Sequence, residues 1–216
     1  MMHKPIIIAL PKGRIQEEVA PILDKVGIKP EKAFFDDSQR QLQFACEDGY
    51  SIIRVRSFDV ATFVAFGAAQ IGICGSDVLM EFDYPDLYAP LDLGIGRCRL
   101  SVAEPEGAEP ASLARLSHIR VATKYPNVTR RYFAGHGIQA ECVKLSGAME
   151  LAPSLGLAQH IVDLVSSGKT LKANGLKETA VIADISSRLI VGRAAFKTRS
   201  REVGEIVERF REVAHG

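Results

Sequence analysis

The chain has 216 residues, 47% hydrophobic and 25% charged, the values of a folded protein and not of a disordered or low-complexity one. Lysine and arginine number 27 against 26 aspartates and glutamates, a net charge of +1, so no global basic excess points to coating of nucleic acid, while a local cationic site stays open. The opening MMHKPIIIALPKGR lacks a secretory apolar core, and no stretch approaches the roughly 18 apolar residues of a membrane span, so neither export nor a membrane partner is expected.

Residues 6–10 form a short, nearly all-apolar run, as a strand covered on both faces requires. Ile15, Val19, Ile22, Leu23 and Val26 then recur at helical spacing, and Gly27 supplies a stop. Strands are expected at 42–46, 51–55 and 71–74, a helix at 60–67, and another helix starting at Ser76 and Asp77. This alternation predicts an α/β layer with a mostly parallel sheet. Residues 93–102, LGIGRCRLSV, alternate, and a loop, EPEGAEPAS, follows at 104–112. A second α/β pattern runs through a strand at 119–122, a helix at 128–135, strands at 141–145 and 161–164, and a strand-like run at 180–185. The chain closes on a helix with Val203, Ile206, Val207, Phe210 and Val213 as its apolar stripe, and with Glu205 and Arg209 one turn apart on the exposed side. Of the four cysteines, Cys46, Cys74, Cys98 and Cys142, none stand as C-x-x-C, and three sit among apolar neighbours as buried thiols of a reducing compartment would. The expected architecture is two lobes, residues 1–97 with 182–216, and residues 98–181 inserted between them, with a ligand in the cleft.

Residues 163–171, DLVSSGKTL, carry the strongest chemical signal. A strand ends at Asp163, small residues follow, and a helix is expected over 170–174. Successive backbone N–H groups in such a turn cradle a phosphate, and Ser166, Ser167 and Thr170 add hydroxyl donors. Asp163 suits the two hydroxyls of a ribose. The Gly168-Lys169-Thr170 run mimics a Walker A loop, but that motif needs a glycine where Asp163 stands. An ordinary strand–turn–helix connection is the plain alternative.

Lys12, Gly13 and Arg14 follow the first strand, where open α/β folds bind ligands. Two cations around a glycine suit a diphosphate, with Arg14 offering a bidentate fork; a solvated loop is the alternative. Arg40, Arg54, Arg56 and Asp59 make a third group. Arg54 and Arg56 alternate on one face of a predicted strand, so they need an anion or a solvated edge. Ser76 or Asp77 is a helix N-cap, or Asp77 accepts from the amino group of a base. GIGRCR at Gly94 has Arg99 in place of the third glycine of a dinucleotide fingerprint. The histidines show no metal spacing, and no Gly-x-Ser-x-Gly elbow supports a nucleophilic serine.

The segments ALPKGR, RVRSFDV, GAAQIGICGSDVL, TKYPN, ELAPSLGLAQHIVDLVSSGKTLKANGL and SSRLI stand in this order across nearly the whole chain. In them the chain closely resembles the short-form ATP phosphoribosyltransferase catalytic subunits. The resemblance implies two α/β lobes like those of type II periplasmic binding proteins, with the active site in the interdomain cleft. It implies displacement of pyrophosphate from C1 of phosphoribosyl pyrophosphate by N1 of ATP, the first step of histidine biosynthesis, in the cytoplasm. Mg²⁺ would be bound through the substrate phosphates. Partners would be a second catalytic subunit, as a homodimer, and a regulatory subunit resembling histidyl-tRNA synthetase in a hetero-oligomer; the long form's C-terminal regulatory domain is not expected here.

By position, the resemblance gives Ser166, Ser167, Gly168, Lys169 and Thr170 the 5′-phosphate, and Asp163 with Glu150 the ribose. Lys12 and Gly13 go to phosphoribosyl pyrophosphate, Arg14 and Arg40 to the leaving diphosphate and ATP phosphates as catalytic groups, and Arg56 and Asp77 to ATP. Two rivals share this pattern: a non-catalytic ligand-binding module of the same fold, and a phosphoribosyltransferase for another base.

Overall fold

The structure, a computed structural model, describes residues 5–36, 38–107 and 117–215, so the loop expected at 104–112 lies partly outside the described residues. The chain divides into two compact units, Met1–Gly96 with Ser186–Gly216, and Arg97–Ile185. The first unit opens with β1 (Ile6–Pro11), α1 (Arg14–Lys25), β2 (Gln43–Ala45), β3 (Tyr50–Val55), α2 (Ser57–Ala65), β4 (Ile71–Gly75), α3 (Ser76–Phe82) and β5 (Leu87–Asp92). The second holds β6 (Cys98–Pro105), β7 (His118–Thr123), α4 (Pro126–Gly135), β8 (Gln139–Lys144), α5 (Leu151–Ser154), β9 (His160–Val165), α6 (Lys169–Ala173) and β10 (Leu176–Ile185). The chain then returns to the first unit as β11 (Ser187–Gly192), α7 (Arg193–Thr198) and α8 (Ser200–His215).

The first sheet has the order β2-β3-β1-β4-β11-β5 and the second β10-β6-β9-β7-β8. β1 runs parallel to β3 and β4, and β7 parallel to β8 and β9. The flanks are antiparallel: β2 to β3, β11 to β4 and β5, β6 to β9, and β10 to β6. The expected mostly parallel sheet is therefore corrected to three parallel strands in each sheet, β3-β1-β4 and β9-β7-β8, with antiparallel strands beside them, because an apolar run specifies a strand but not its direction.

Alternation on β1 sends its side chains to two cores. Ile8 and Leu10 join Val19 and Leu23 of α1, Phe34, Phe44 and Phe210 on one face. Ala9 joins Val60 and Val64 of α2 and Ile190 on the other. Gly72 permits that second contact, since a Cβ there would lie 2.8 Å from methyls of both Val60 and Val64. The second unit packs Ala122, Met149, Ile161, Val165, Leu171 and Leu176 into its own cluster.

Several elements escaped the sequence reading. β5 carries Pro90 and exposes Tyr88, Ala89 and Pro90 at a sheet edge, so it shows little apolar pattern. β11 follows β10 after Ser186 alone, which fuses two apolar runs into one. Two local expectations are corrected. Arg209 is not on the exposed side of α8: its guanidinium donates to the Val26 carbonyl at 2.9 Å and the Tyr50 hydroxyl at 2.5 Å, while Glu205 faces Arg201. Only Cys74 among the four free cysteines is buried; Cys46, Cys98 and Cys142 are half-buried.

Candidate active site

In the first sheet β3, β1 and β4 are neighbours and parallel, so their carboxyl ends share one edge. The residues that follow those ends are Arg56, then Lys12, Gly13 and Arg14, then Ser76 and Asp77. Ligands of open α/β sheets bind at such an edge. The Lys12 N–H donates to the Val55 carbonyl at 3.1 Å, which seats the turn. Gly13 precedes α1 with φ 94° and ψ −147°, a conformation that favours glycine. Arg14 begins the helix, exposed, with Nε donating to Glu18 Oε1 at 2.6 Å. That bond, with a second from the Gly96 N–H, holds the Glu18 carboxyl below its usual range.

Arg54 does not share a ligand face with Arg56, which corrects the sequence reading. It is 3% exposed, and its guanidinium donates to the carbonyls of Phe34, Asp36, Gln39 and Gln41 at 3.2, 3.4, 2.9 and 3.4 Å. Arg56 lies beyond the strand, exposed, immediately before α2, and Asp59 is exposed in that helix's first turn. Arg40 is exposed on the segment that Arg54 grips, between the carbonyls of Gln39 and Gln41.

Neither Ser76 nor Asp77 caps α3; Gly75 occupies the N-cap position. Ser76 instead exchanges hydrogen bonds with Ser186, its N–H donating at 2.9 Å and its Oγ accepting at 3.3 Å. Asp77 is 5% exposed and folds over Gly75, where a Cβ would lie 1.9 Å from its Oδ1.

In the second unit β9 does not end at Asp163 but continues to Val165. Asp163 is half-buried, and its Oδ1 accepts the Leu164 N–H at 2.8 Å. Ser166, Ser167 and Gly168 make the turn, and Gly168 has φ 73° with no atom within 4 Å of an ideal Cβ. Its conformation, not crowding by the protein, calls for glycine, and the space in front of its backbone is open. The Gly168 carbonyl accepts from Lys172 N at 3.1 Å, closing the first turn of α6. Glu150, just before α5, comes to the same place: it lines a cavity of about 170 Å³ together with residues 163–171.

The sequence reading assigned no role to the turn after β7. The hydroxyl of Thr123 donates to the Val162 carbonyl at 2.8 Å and accepts the Tyr125 N–H at 2.9 Å, so Lys124 is held at the carboxyl edge β7 shares with β9. On β6, the neighbour of β9, Arg99 grips Glu178 through Nε and Nη2 at 2.9 and 2.8 Å, and Ser101 Oγ donates to the same carboxylate at 2.7 Å. The Arg99 bonds keep the Glu178 carboxyl below its usual range. Ser101 stands opposite Asp163 in the ladder, so this polar cluster flanks that carboxylate.

The first unit presents guanidinium groups, and the second presents hydroxyls, backbone N–H groups and carboxylates. Among the described residues no three His, Cys, Asp or Glu side chains gather to hold a metal. Cys74, close to Asp77, is buried and its thiol pushed well above the usual range by that burial, so it is no nucleophile.

The family model described as HisG: ATP phosphoribosyltransferase matches residues 56–212. A curated ATP phosphoribosyltransferase of Sphingopyxis alaskensis is 63% identical over 98% of this chain and 95% of its own length. That of Rhodospirillum rubrum is 64% identical over 96% of this chain and 92% of its own. Among solved structures, the ATP phosphoribosyl transferase (HisG:HisZ) complex from Thermotoga maritima matches with TM-score 0.83 and 33% identity, covering 97% of this chain and 98% of that one. The alkanesulfonate-binding protein SsuA from Xanthomonas axonopodis pv. citri matches with TM-score 0.56 at 14% identity, over 97% of this chain and 74% of that one, a likeness of fold alone.

Proposed function

The chain belongs to the ATP phosphoribosyltransferase family, and from that premise we propose how its residues divide the work. The enzyme is a pentosyltransferase of the first step of histidine biosynthesis: N1 of ATP displaces pyrophosphate from C1 of phosphoribosyl pyrophosphate. N1 carries a free lone pair at neutral pH, so the reaction asks for no strong general base. C1 passes through an electron-poor, oxocarbenium-like state, and the barrier is lowered by alignment and by charge stabilisation on the departing diphosphate.

The second unit takes the sugar phosphate. Ser166, Ser167, Gly168, Lys169 and Thr170 hold the 5′-phosphate through backbone N–H groups, hydroxyls and one ammonium, and Asp163 with Glu150 accepts from the ribose hydroxyls. The 170 Å³ cavity that joins both carboxylates to that turn carries this reading. The first unit takes the polyphosphates. Lys12, Gly13, Arg14 and Arg40 meet the leaving diphosphate, and Arg56 and Asp77 meet ATP; the shared edge of β1, β3 and β4 supports grouping all but Arg40. The carboxylates and hydroxyls around the cavity are oxygen donors, which suit a hard cation. Mg²⁺, arriving on the substrate phosphates, would be held by them beside Asp163 and Glu150, and it would supply charge neutralisation.

Assembly follows the solved relative, which is a HisG:HisZ complex. A homodimer of this chain with a regulatory subunit of that kind is the hetero-oligomer we propose. ATP and the activated sugar as substrates support a cytoplasmic site of action; among the described residues no helix is long and apolar enough to cross a membrane.

Gly168→Val tests the cradle. A side chain there strains a left-handed turn and blocks the approach of a phosphate to the backbone. Calorimetry is expected to show phosphoribosyl pyrophosphate bound at least about a hundredfold more weakly, a loss of about 3 kcal/mol, with ATP binding unchanged. Unchanged affinity for the sugar would remove the phosphate from this turn.

A further inference from the structure

Glu18 has no role in the reading above, yet its carboxylate is held at both oxygens. Oε1 accepts from Arg14 Nε, and Oε2 accepts the Gly96 N–H, both at 2.6 Å. An i,i+4 ion pair on a helix surface is by itself a weak and mobile contact. This one differs because its second oxygen is tied to a turn that is itself held from several sides. Gly94 N–H donates to Asp92 Oδ1, Ser186 Oγ donates to Asp92 Oδ2, and Ser187 N–H donates to the Ile95 carbonyl, each at 2.9 Å. Gly96 has φ 65°, and a Cβ on it would lie 2.8 Å from Ser187 Oγ, so both the turn's conformation and its close packing call for glycine. The same two hydrogen bonds keep the Glu18 carboxyl below its ordinary range, which leaves it charged at neutral pH.

A guanidinium has two donor edges. Glu18 takes Arg14 through Nε, and the edge formed by Nη1 and Nη2 is the one a phosphate would meet in bidentate fashion. We infer that Glu18 is a positioning residue of the transfer reaction: braced by the Gly96 turn, it fixes the rotation of the Arg14 guanidinium so that its outer edge meets the leaving diphosphate already oriented. The inference rests on the reading of Arg14 as a donor to that diphosphate.

Steady-state kinetics and pyrophosphate calorimetry on the full-length chain test it with Glu18→Gln, Arg14→Ala and the double variant. Glu18→Gln keeps the side chain's shape and an oxygen for Gly96 but removes the charge that orients the guanidinium. Expected are a roughly tenfold fall in kcat, a KM for ATP within about twofold, and about tenfold weaker binding of pyrophosphate. In the Arg14→Ala background, Glu18→Gln is expected to add nothing, because its effect passes through Arg14. An equal loss in both backgrounds, or no loss in either, overturns the inference and leaves the role of Arg14 standing. Wild-type kcat in Arg14→Ala removes both together. Should Glu18→Gln fail to fold, Glu18→Asp serves instead: it keeps the charge and loses the reach, the same tenfold fall is expected, and full turnover would overturn the assignment.

Discussion

A guanidinium buried to 3% exposure needs partners for its donors, and the carbonyls of Phe34, Asp36, Gln39 and Gln41 supply them to Arg54. Its carbon also sits 4.9 Å from the centre of the Phe44 ring, and Gln16 Nε2 adds a bond of 3.1 Å to the Phe34 carbonyl. Arg54 is thus the post around which residues 34–36 and 38–41 wrap, and Arg40 rides on that wrap. Arg54→Leu fits an apolar side chain beside Phe44 but removes this donor: the Phe34 carbonyl keeps Gln16 and the Asp36 carbonyl keeps the Gln39 N–H, while those of Gln39 and Gln41 lose their guanidinium partner. A buried acceptor left unmatched costs roughly 1–3 kcal/mol, and several here are only part-buried, so the expected loss is about 2–3 kcal/mol in all. Denaturant titration should show the midpoint fall at unchanged slope, and limited proteolysis should cut first within 36–41. If the midpoint stays where it is, the carbonyl fan does not stabilise the loop. Nothing in the local sequence announced this arrangement. Arginine in a strand-like run reads as a ligand group, and only the return of residues 34–36 and 38–41 against β3 turns it into a buried support.

At the scale of an element, β9 has different chemistry at its two ends. Its carboxyl end leads into the 166–168 turn; its amino end is His160, 8% exposed, with Nδ1 lacking a hydrogen-bond partner and Nε2 3.5 Å from Glu104. Burial pulls the imidazole below its ordinary range, outweighing the carboxylate beside it. The native state therefore resists a proton that the unfolded chain accepts near pH 6.5. Stability is full above that value and declines as pH falls through it. Melting temperature is expected to drop between pH 7.5 and 5.5, and His160→Gln should flatten that part of the slope. A slope identical to the parent's would mean that other groups carry it. Legibility follows the same division between local and distant causes. β1, α1 and α8 declared themselves through apolar recurrence, and the 166–170 turn through contiguous small residues. Glu150 reaches the cavity from another segment, Asp77 is covered by its fold over Gly75, and the antiparallel pairings depend on where strands return. No spacing within one segment records such facts.

At the scale of the whole molecule, the two units differ in how the chain supplies them. The first needs both termini: β11 separates β4 from β5, and Leu189 and Val191 share a core with Val203, Ile206 and Phe210 of α8. Residues 1–96 alone would leave the inner neighbour of β4 missing and a row of wholly buried side chains without cover. The second unit is continuous, about 90 residues with its own cluster and five-stranded sheet, large enough for a core without disulfide or metal support. The ladder from Leu176–Pro105 to Ile185–Cys98 ties its last strand to its first. Residues 97–185 expressed alone should therefore unfold cooperatively on heating, whereas 1–96 alone should show neither dispersed amide signals nor a melting transition. Joining residue 96 to residue 186 by a short glycine linker should restore the first unit, since Ser187 N–H already lies 2.9 Å from the Ile95 carbonyl. The isolated 97–185 unit offers a sharper trial. If the cradle is built wholly by that unit, it should bind ribose 5-phosphate and lose it in Gly168→Val. A folded 97–185 with no affinity for the sugar phosphate would mean that the turn after β9 is not sufficient to hold it.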